Sequence, residues 1–206
     1  MTGPILLATR NGKKLAELRR ILASPLPDVQ IVGLDDVAGY AEVPETGATF
    51  AANALLKARE GHAHTGLATI ADDSGLAVDA LNGMPGVLSA RWSGRHGEDE
   101  ANLQLVLAQL RDTPDERLGA AFVCAAAFVD ATGEIVTEGR MPGRLVREPR
   151  GANGFGYDPI FVADGQHLTN GELPPSVKDS MSHRGKALRA LAAQLRGTRF
   201  AATPQP

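Results

Sequence analysis

The 206 residues carry a formal charge of −3, and 43% are hydrophobic, 22% charged and 4% aromatic. That balance excludes collagen, coiled coil and wholesale disorder, and the acidic excess excludes an unspecific nucleic-acid binder, which neutralises phosphates with a strong basic surplus. The longest apolar runs, such as residues 120–129, fall far short of the about 20 needed to cross a bilayer, so no membrane span is expected.

Residues 1–7 have neither the basic start nor the apolar length of a secretion signal, which gives a cytoplasmic location as the expectation. The single Cys124 cannot form an internal disulfide and sits in an apolar run, where it reads as a small buried hydrophobe. The length suits one domain over residues 1–200, compact or in two lobes, with a frayed tail over 201–206.

In chain order, a short apolar strand over 5–8 turns directly into a helix over 12–23 whose apolar face is Leu15, Leu18, Ile21 and Leu22. The turn reads Thr9-Arg10-Asn11-Gly12-Lys13-Lys14, with Asn11 a natural N-cap. Lys13 and Lys14 fall in the first helical turn, where the positive end of the helix dipole repels cations. A bound anion reverses that sign, and backbone N–H groups, the Thr9 hydroxyl, the Asn11 amide and a lysine together make a phosphate cradle. A plain capped helix with solvated lysines is the simpler alternative. The spacing is not that of a Walker A loop.

A strand over 30–34 leads to a loop carrying Glu42 and Glu45, then a helix over 49–62 on which Asn53 and Lys57 share a face. Either glutamate is a candidate for completing a metal site; solvation in the loop is the bland reading. The next strand, over 68–71, runs into Asp72-Asp73-Ser74-Gly75 before a strand over 76–78. Carboxylates at the end of a buried strand suit magnesium, which takes one or two of them and leaves its other positions to water and phosphate. Neighbouring strand residues face opposite ways, so the two acids should differ in role; ordinary turn chemistry also explains Asp-Ser-Gly.

A Gly/Pro loop over 83–86, a helix over 98–110, and strands over 120–129 and 135–141 joined by a hairpin turn at Asp130-Ala131-Thr132-Gly133 follow. A second Gly/Pro stretch over 142–159 reads as loop and contains Gly154-Phe155-Gly156-Tyr157-Asp158, where glycines let backbone approach a ligand and Phe155 either stacks on a planar ring or folds into the core. A strand over 160–162 precedes the segment from Ser176 to Lys186 and a last helix over 183–195. Ser182 is its expected N-cap, and His183 and Arg184 again put cations at a helix start. The alternation of strands and helices is an α/β pattern.

These motifs, in this order over nearly the whole chain, resemble the inosine/xanthosine triphosphate pyrophosphatase family: Ala8-Thr9-Arg10-Asn11-Gly12-Lys13-Lys14, Glu45-Thr46-Gly47 with Asn53-Ala54 and Lys57-Ala58, Ala71-Asp72-Asp73-Ser74-Gly75-Leu76, residues 83–86 with Ser89-Ala90-Arg91, Gly154-Phe155-Gly156-Tyr157-Asp158-Pro159, and Ser182-His183-Arg184-Gly185. The resemblance implies a long mixed sheet flanked by helices, two lobes with an active-site cleft between them, and a homodimer. It implies Mg²⁺-dependent hydrolysis of inosine, deoxyinosine or xanthosine triphosphate between the α and β phosphates, giving the monophosphate and pyrophosphate.

Carried over by motif, Thr9, Asn11 and Lys14 bind the triphosphate, with Arg10, Gly12 and Lys13 in the same turn and Lys57 assisting. Glu45 and Asp73 hold the metal, Asp73 is also the catalytic base, and Ser74 contacts substrate. Phe155 stacks on the purine within the Gly156-Tyr157 loop, while Asp158, Lys178, His183 and Arg184 read the base edge. Arg10 stands where many members carry a small residue, and Pro44 replaces what is often a second acid. A nucleotide sensor without turnover is the alternative, although it would not require Asp72 and Asp73; a partner-binding domain gives no reason for cations at two helix starts.

Overall fold

The computed structural model describes residues 3–41 and 43–198, so Glu42 and the expected frayed tail lie outside the described residues. Six strands form one mixed sheet in the order β2-β1-β3-β4-β5-β6: β1 (Ile5–Leu7), β2 (Ile31–Val32), β3 (Ala68–Val78), β4 (Gly119–Asp130), β5 (Gly133–Leu145) and β6 (Phe161–Ala163). β1 is parallel to β2 and β3, whereas β5 and β6 are antiparallel with Arg144 opposite Val162. Parallel neighbours need crossover helices; α1 (Gly12–Ala23) and α2 (Phe50–Thr65) supply them. The later helices are α3 (Asp99–Gln109), α4 (Pro175–Met181) and α5 (His183–Thr198).

Local chemistry accounts for the element ends. Asn11 Oδ1 accepts from Lys14 N–H at 3.0 Å and caps α1. Thr49 Oγ1 does the same for Ala52 N–H on α2, which closes on Gly66 in the left-handed conformation, φ 69°. In the β4–β5 turn Asp130 Oδ1 takes the N–H groups of Thr132 and Gly133 at 2.8 and 3.1 Å.

The chain divides into two compact units, the first drawn from Met1–Asp73, Ala125–Glu138 and Arg184–Pro206, the second from Ser74–Cys124 and Gly139–His183. In the first, the cluster under α2 is built of small side chains, Ala54 and Ala58 meeting Ala71, Ala125, Ala127 and Val129 of the strands, while larger residues such as Leu6, Leu18, Leu22 and Phe128 are buried elsewhere in the unit. A Cβ at Gly61 would stand 2.7 Å from Thr69 Cγ2, so the α2 backbone itself lies close to the sheet. The second unit packs larger groups, with Leu103, Val106 and Leu110 of α3 against Leu76, Val78, Phe122 and Phe161. Burying each such leucine contributes about 1.5–3 kcal/mol.

Three expectations need correction. The pieces expected over 68–71 and 76–78 are one strand, so Asp72 and Asp73 stand inside β3 and not at its end; hydrogen-bonded ion pairs hold their buried carboxylates there. β5 runs on through Pro142, which the Gly/Pro content had assigned to loop; Pro142 keeps a ladder bond by accepting from Asp164 N–H at 3.0 Å. No element is expected from sequence over residues 175–181, which form α4, its first turn beginning with Pro175, a residue suited to that position; Ser182 follows it in extended conformation directly before α5, at the position expected of the cap.

Candidate active site

In the first unit, α1, α2, β3 and the Glu45 loop bring the acids and lysines together. Lys14 Nζ lies 3.0 Å from Asp72 Oδ2 and 3.3 Å from the Asp72 carbonyl. Arg184, at the start of α5, donates from Nε to the same Asp72 oxygen at 3.1 Å and from Nη1 to Glu17 Oε2 at 2.6 Å. Both partners and the guanidinium are buried. Burial raises the Asp72 pKa, but Lys14, Arg184 and Lys57 outweigh it and hold the carboxyl well below the usual carboxylate range. The cation at this second helix start therefore has its counter-charge inside the protein, and its position does not by itself call for an external anion.

Asp73 takes different partners. Asn53 Nδ2 donates to its Oδ2 at 3.0 Å and Lys57 Nζ to its Oδ1 at 3.3 Å. Lys57 also donates to Glu45 Oε1 at 2.8 Å. Asn53 accepts from Gly47 N–H at 2.7 Å, so one buried amide joins the Glu45 loop to the β3 acid. Burial raises the Asp73 pKa and the nearby Glu45 charge adds to that, with Lys57 and Lys14 pulling the other way. Burial of part of the Lys57 side chain opposes its charge, but Asp73 and Glu45 outweigh that and raise its pKa, so it stays charged.

Among the described residues, no three His, Cys, Asp or Glu side chains form a metal-binding group. Glu45 and Asp73 nevertheless converge on one ammonium. Two hard carboxylates around a single cation fit magnesium, which completes its octahedron with water and substrate phosphate.

At the turn before α1, Asn11 N–H donates to Thr9 Oγ1 at 3.3 Å, and Gly12 and Lys13 are exposed at the helix start. Arg10 reaches away along the loop: Nη2 donates to the Tyr40 carbonyl at 2.6 Å, and its guanidinium carbon lies 5.8 Å from the centre of the Tyr40 ring, which stacks on His64.

In the second unit, Phe155 is half-buried, and Lys178 Nζ lies 5.3 Å from its ring centre. Lys178 donates at 2.6 Å to Asp158 Oδ2, which also accepts from Phe155 N–H at 2.9 Å. Gly154 adopts φ 76°, and a Cβ there would collide with the Asp158 carboxylate. Gly156 N–H donates to Asp99 at 3.1 Å. Tyr157 belongs to the core, its hydroxyl donating to the Ser89 carbonyl at 2.8 Å, and burial pushes its pKa far up. His183 is buried and stacks on Phe122 with ring centres 4.9 Å apart. Ser74 is half-buried in β3.

A model of the Ham1 family matches residues 5–194. The chain belongs to the Ham1 family. It is 62% identical over 194 residues to the dITP/XTP pyrophosphatase of Mycolicibacterium paratuberculosis, covering 93% of this chain and 95% of that one. With the enzyme of the same name from Nocardia farcinica the identity is 65% over 189 residues, 91% and 92% of the two chains. Among solved structures, the nucleoside-triphosphatase / dITP/XTP pyrophosphatase of Mycobacterium abscessus is 65% identical with a TM-score of 0.75 over 93% of this chain and 98% of that one. The HAM1 protein of Coxiella burnetii, 38% identical, gives 0.84 over 95% and 100%.

In this Ham1 family chain, the residues missed by sequence reasoning are Glu17 and Asn170. Glu17 breaks the apolar face of α1 between Lys14 and Ile21, and a charge on a core-facing stripe is the signal that could have exposed it. Asn170 lies outside every motif and leaves no such signal.

Proposed function

We propose that this Ham1 family chain hydrolyses non-standard purine nucleoside triphosphates, those of inosine, deoxyinosine and xanthosine, to the monophosphate and pyrophosphate. The observation that carries the chemistry is the pairing of Asp73 and Glu45 on Lys57 in a unit that also places Lys14 beside β3. Thr9, Asn11, Gly12 and the exposed Lys13 bind phosphate oxygens through the helix start, and Lys14 and Lys57 neutralise charge. Arg10 supports the turn from the side. Glu45 and Asp73 hold Mg²⁺, which, when bound, neutralises phosphate charge and polarises the reacting phosphoryl group.

Asp73 orients a water and takes its proton as the water oxygen bonds to the α-phosphorus; the bond from that phosphorus to the bridging oxygen breaks, and pyrophosphate leaves. A raised carboxyl pKa suits the aspartate to this proton transfer. Phe155 stacks on the purine, with Gly156 and Tyr157 shaping its loop and Ser74 contacting substrate. Lys178, held by Asp158, reads the base edge together with His183 and Arg184. An ammonium has only donors, so it accepts a 6-oxo group and opposes a 6-amino group, whose unpaired contact reduces the rate by orders of magnitude. The family resemblance supports a homodimer working in the cytoplasm.

The test is product analysis with a panel of purine triphosphates and Mg²⁺. Pyrophosphate from inosine, deoxyinosine and xanthosine triphosphates, with little turnover of ATP, is expected. Orthophosphate as the first product, or tight binding with no turnover, overturns the reading.

A further inference from the structure

Asn170 lies between β6 and α4 with its side chain wholly buried. Its Nδ2 donates to Asp158 Oδ1 at 3.1 Å, and its own N–H is fixed on the Phe161 carbonyl at 2.9 Å. The next residue continues the connection: Gly171 N–H donates to the Asp158 carbonyl at 3.0 Å, and the Gly171 carbonyl accepts from Asn153 N–H at 2.9 Å. Asn170 and Gly171 thus tie both ends of the Phe155 loop, at Asn153 and at Asp158.

The two oxygens of Asp158 divide the work. Oδ2 takes Lys178 and the Phe155 N–H, and Oδ1 takes Asn170. A carboxylate held through one oxygen can still turn about its last torsion, which is broad. Any such turn displaces the lysine ammonium, a compact charge on a flexible stem that takes its position from its partner. The donor on the second oxygen fixes the plane. Stability alone does not explain an amide here, because Asn170 Oδ1 is buried without a hydrogen-bond partner among the described residues, an arrangement that costs stability.

We propose that Asn170 is a specificity-determining positioning residue: by fixing the plane of the Asp158 carboxylate it sets the Lys178 ammonium against the Phe155 ring, and so sharpens the preference for a purine carrying oxygen at position 6. The inference rests on the assignment of Phe155 and Lys178 to the base.

The test compares kcat/KM for inosine triphosphate and ATP in the wild type, Asn170→Ala and Asn170→Asp, with thermal melting as the check on folding. In Asn170→Ala the ratio of the two falls by about tenfold or more, carried by the inosine substrate. A purely structural role lowers the active fraction for both substrates alike and leaves the ratio unchanged. Asn170→Asp places a second carboxyl against Asp158, and two carboxyls so close share a proton. The other charges nearby are Lys178 on Asp158, and the Arg150–Glu172 pair, 3.6 Å apart, on the flanking segment. Protonated, the new acid donates as the amide does, so discrimination is close to that of the wild type near pH 5.5 and lost near pH 8.5. An unchanged ratio in folded Asn170→Ala overturns the inference, and if that variant does not fold, a pH-independent ratio in Asn170→Asp does so. A wild type that fails to discriminate overturns the base assignment itself, before any variant is compared.

Discussion

Arg184 carries two carboxylates on one guanidinium, Asp72 through Nε and Glu17 through Nη1. Removing one member of a buried ion pair leaves its partner charged and uncompensated. Arg184→Ala therefore loses on the order of 3–5 kcal/mol of stability, read from urea unfolding, and Arg184→Lys does not restore it, because a single ammonium nitrogen cannot stand where Nε and Nη1 each meet their own carboxylate. Any loss of base discrimination in Arg184→Ala must accordingly be scored on the folded fraction. Asp73 answers to a different test. Asp73→Asn keeps the size of the side chain but removes the charge and one of the two acceptors that face Asn53 Nδ2 and Lys57 Nζ; nucleotide affinity by calorimetry is largely retained while kcat falls by at least about a hundredfold, and an undiminished kcat removes Asp73 from the chemistry.

The helices and strands that hold these residues were largely visible as patterns. Asn11 announces the start of α1 as its cap, the helix expected over 49–62 begins on the residue that caps α2, and Asp130-Ala131-Thr132-Gly133 announces the β4–β5 turn. β3 was legible only in pieces, since Asp-Asp-Ser-Gly has turn composition, and its place between β1 and β4 together with the partners from α1, α2 and α5 keeps it extended. Likewise α4 is a short helix with little periodicity to read. The close approach of α2 to the sheet makes a clear prediction: Ala58→Leu overpacks the small-residue core and costs about 1–3 kcal/mol. At Gly154 a positive φ combines with the space taken by the Asp158 carboxylate. Gly154→Ala displaces the Phe155 loop and raises KM for inosine triphosphate more than it lowers kcat, which steady-state kinetics separates.

For the molecule as a whole, adjacent acids pull stability in opposite directions with pH. The Asp72 pKa is lower in the folded chain than in the unfolded one, where it is about 3.9. Its contribution is therefore full above that unfolded value and is lost as pH falls through the folded one. The Asp73 pKa is raised, so stability falls as pH rises from the unfolded value through the folded one. At pH 7, Asp72→Asn therefore lowers the urea midpoint more than Asp73→Asn does, because the second substitution also relieves the burial of a charge. That contrast is expected where one acid anchors the fold and its neighbour is kept for function.

By itself the sequence determined the α/β class, most element positions, the caps and the motifs whose residue types suit phosphate, magnesium and a purine, because these follow from local backbone preferences and from side-chain chemistry carried in short segments. Tertiary structure alone decided the partners: Glu17 with Arg184, Asn53 between Gly47 and Asp73, and Asn170 on Asp158. Those contacts join residues distant along the chain, and no local pattern encodes a buried charge finding its counter-charge on another element.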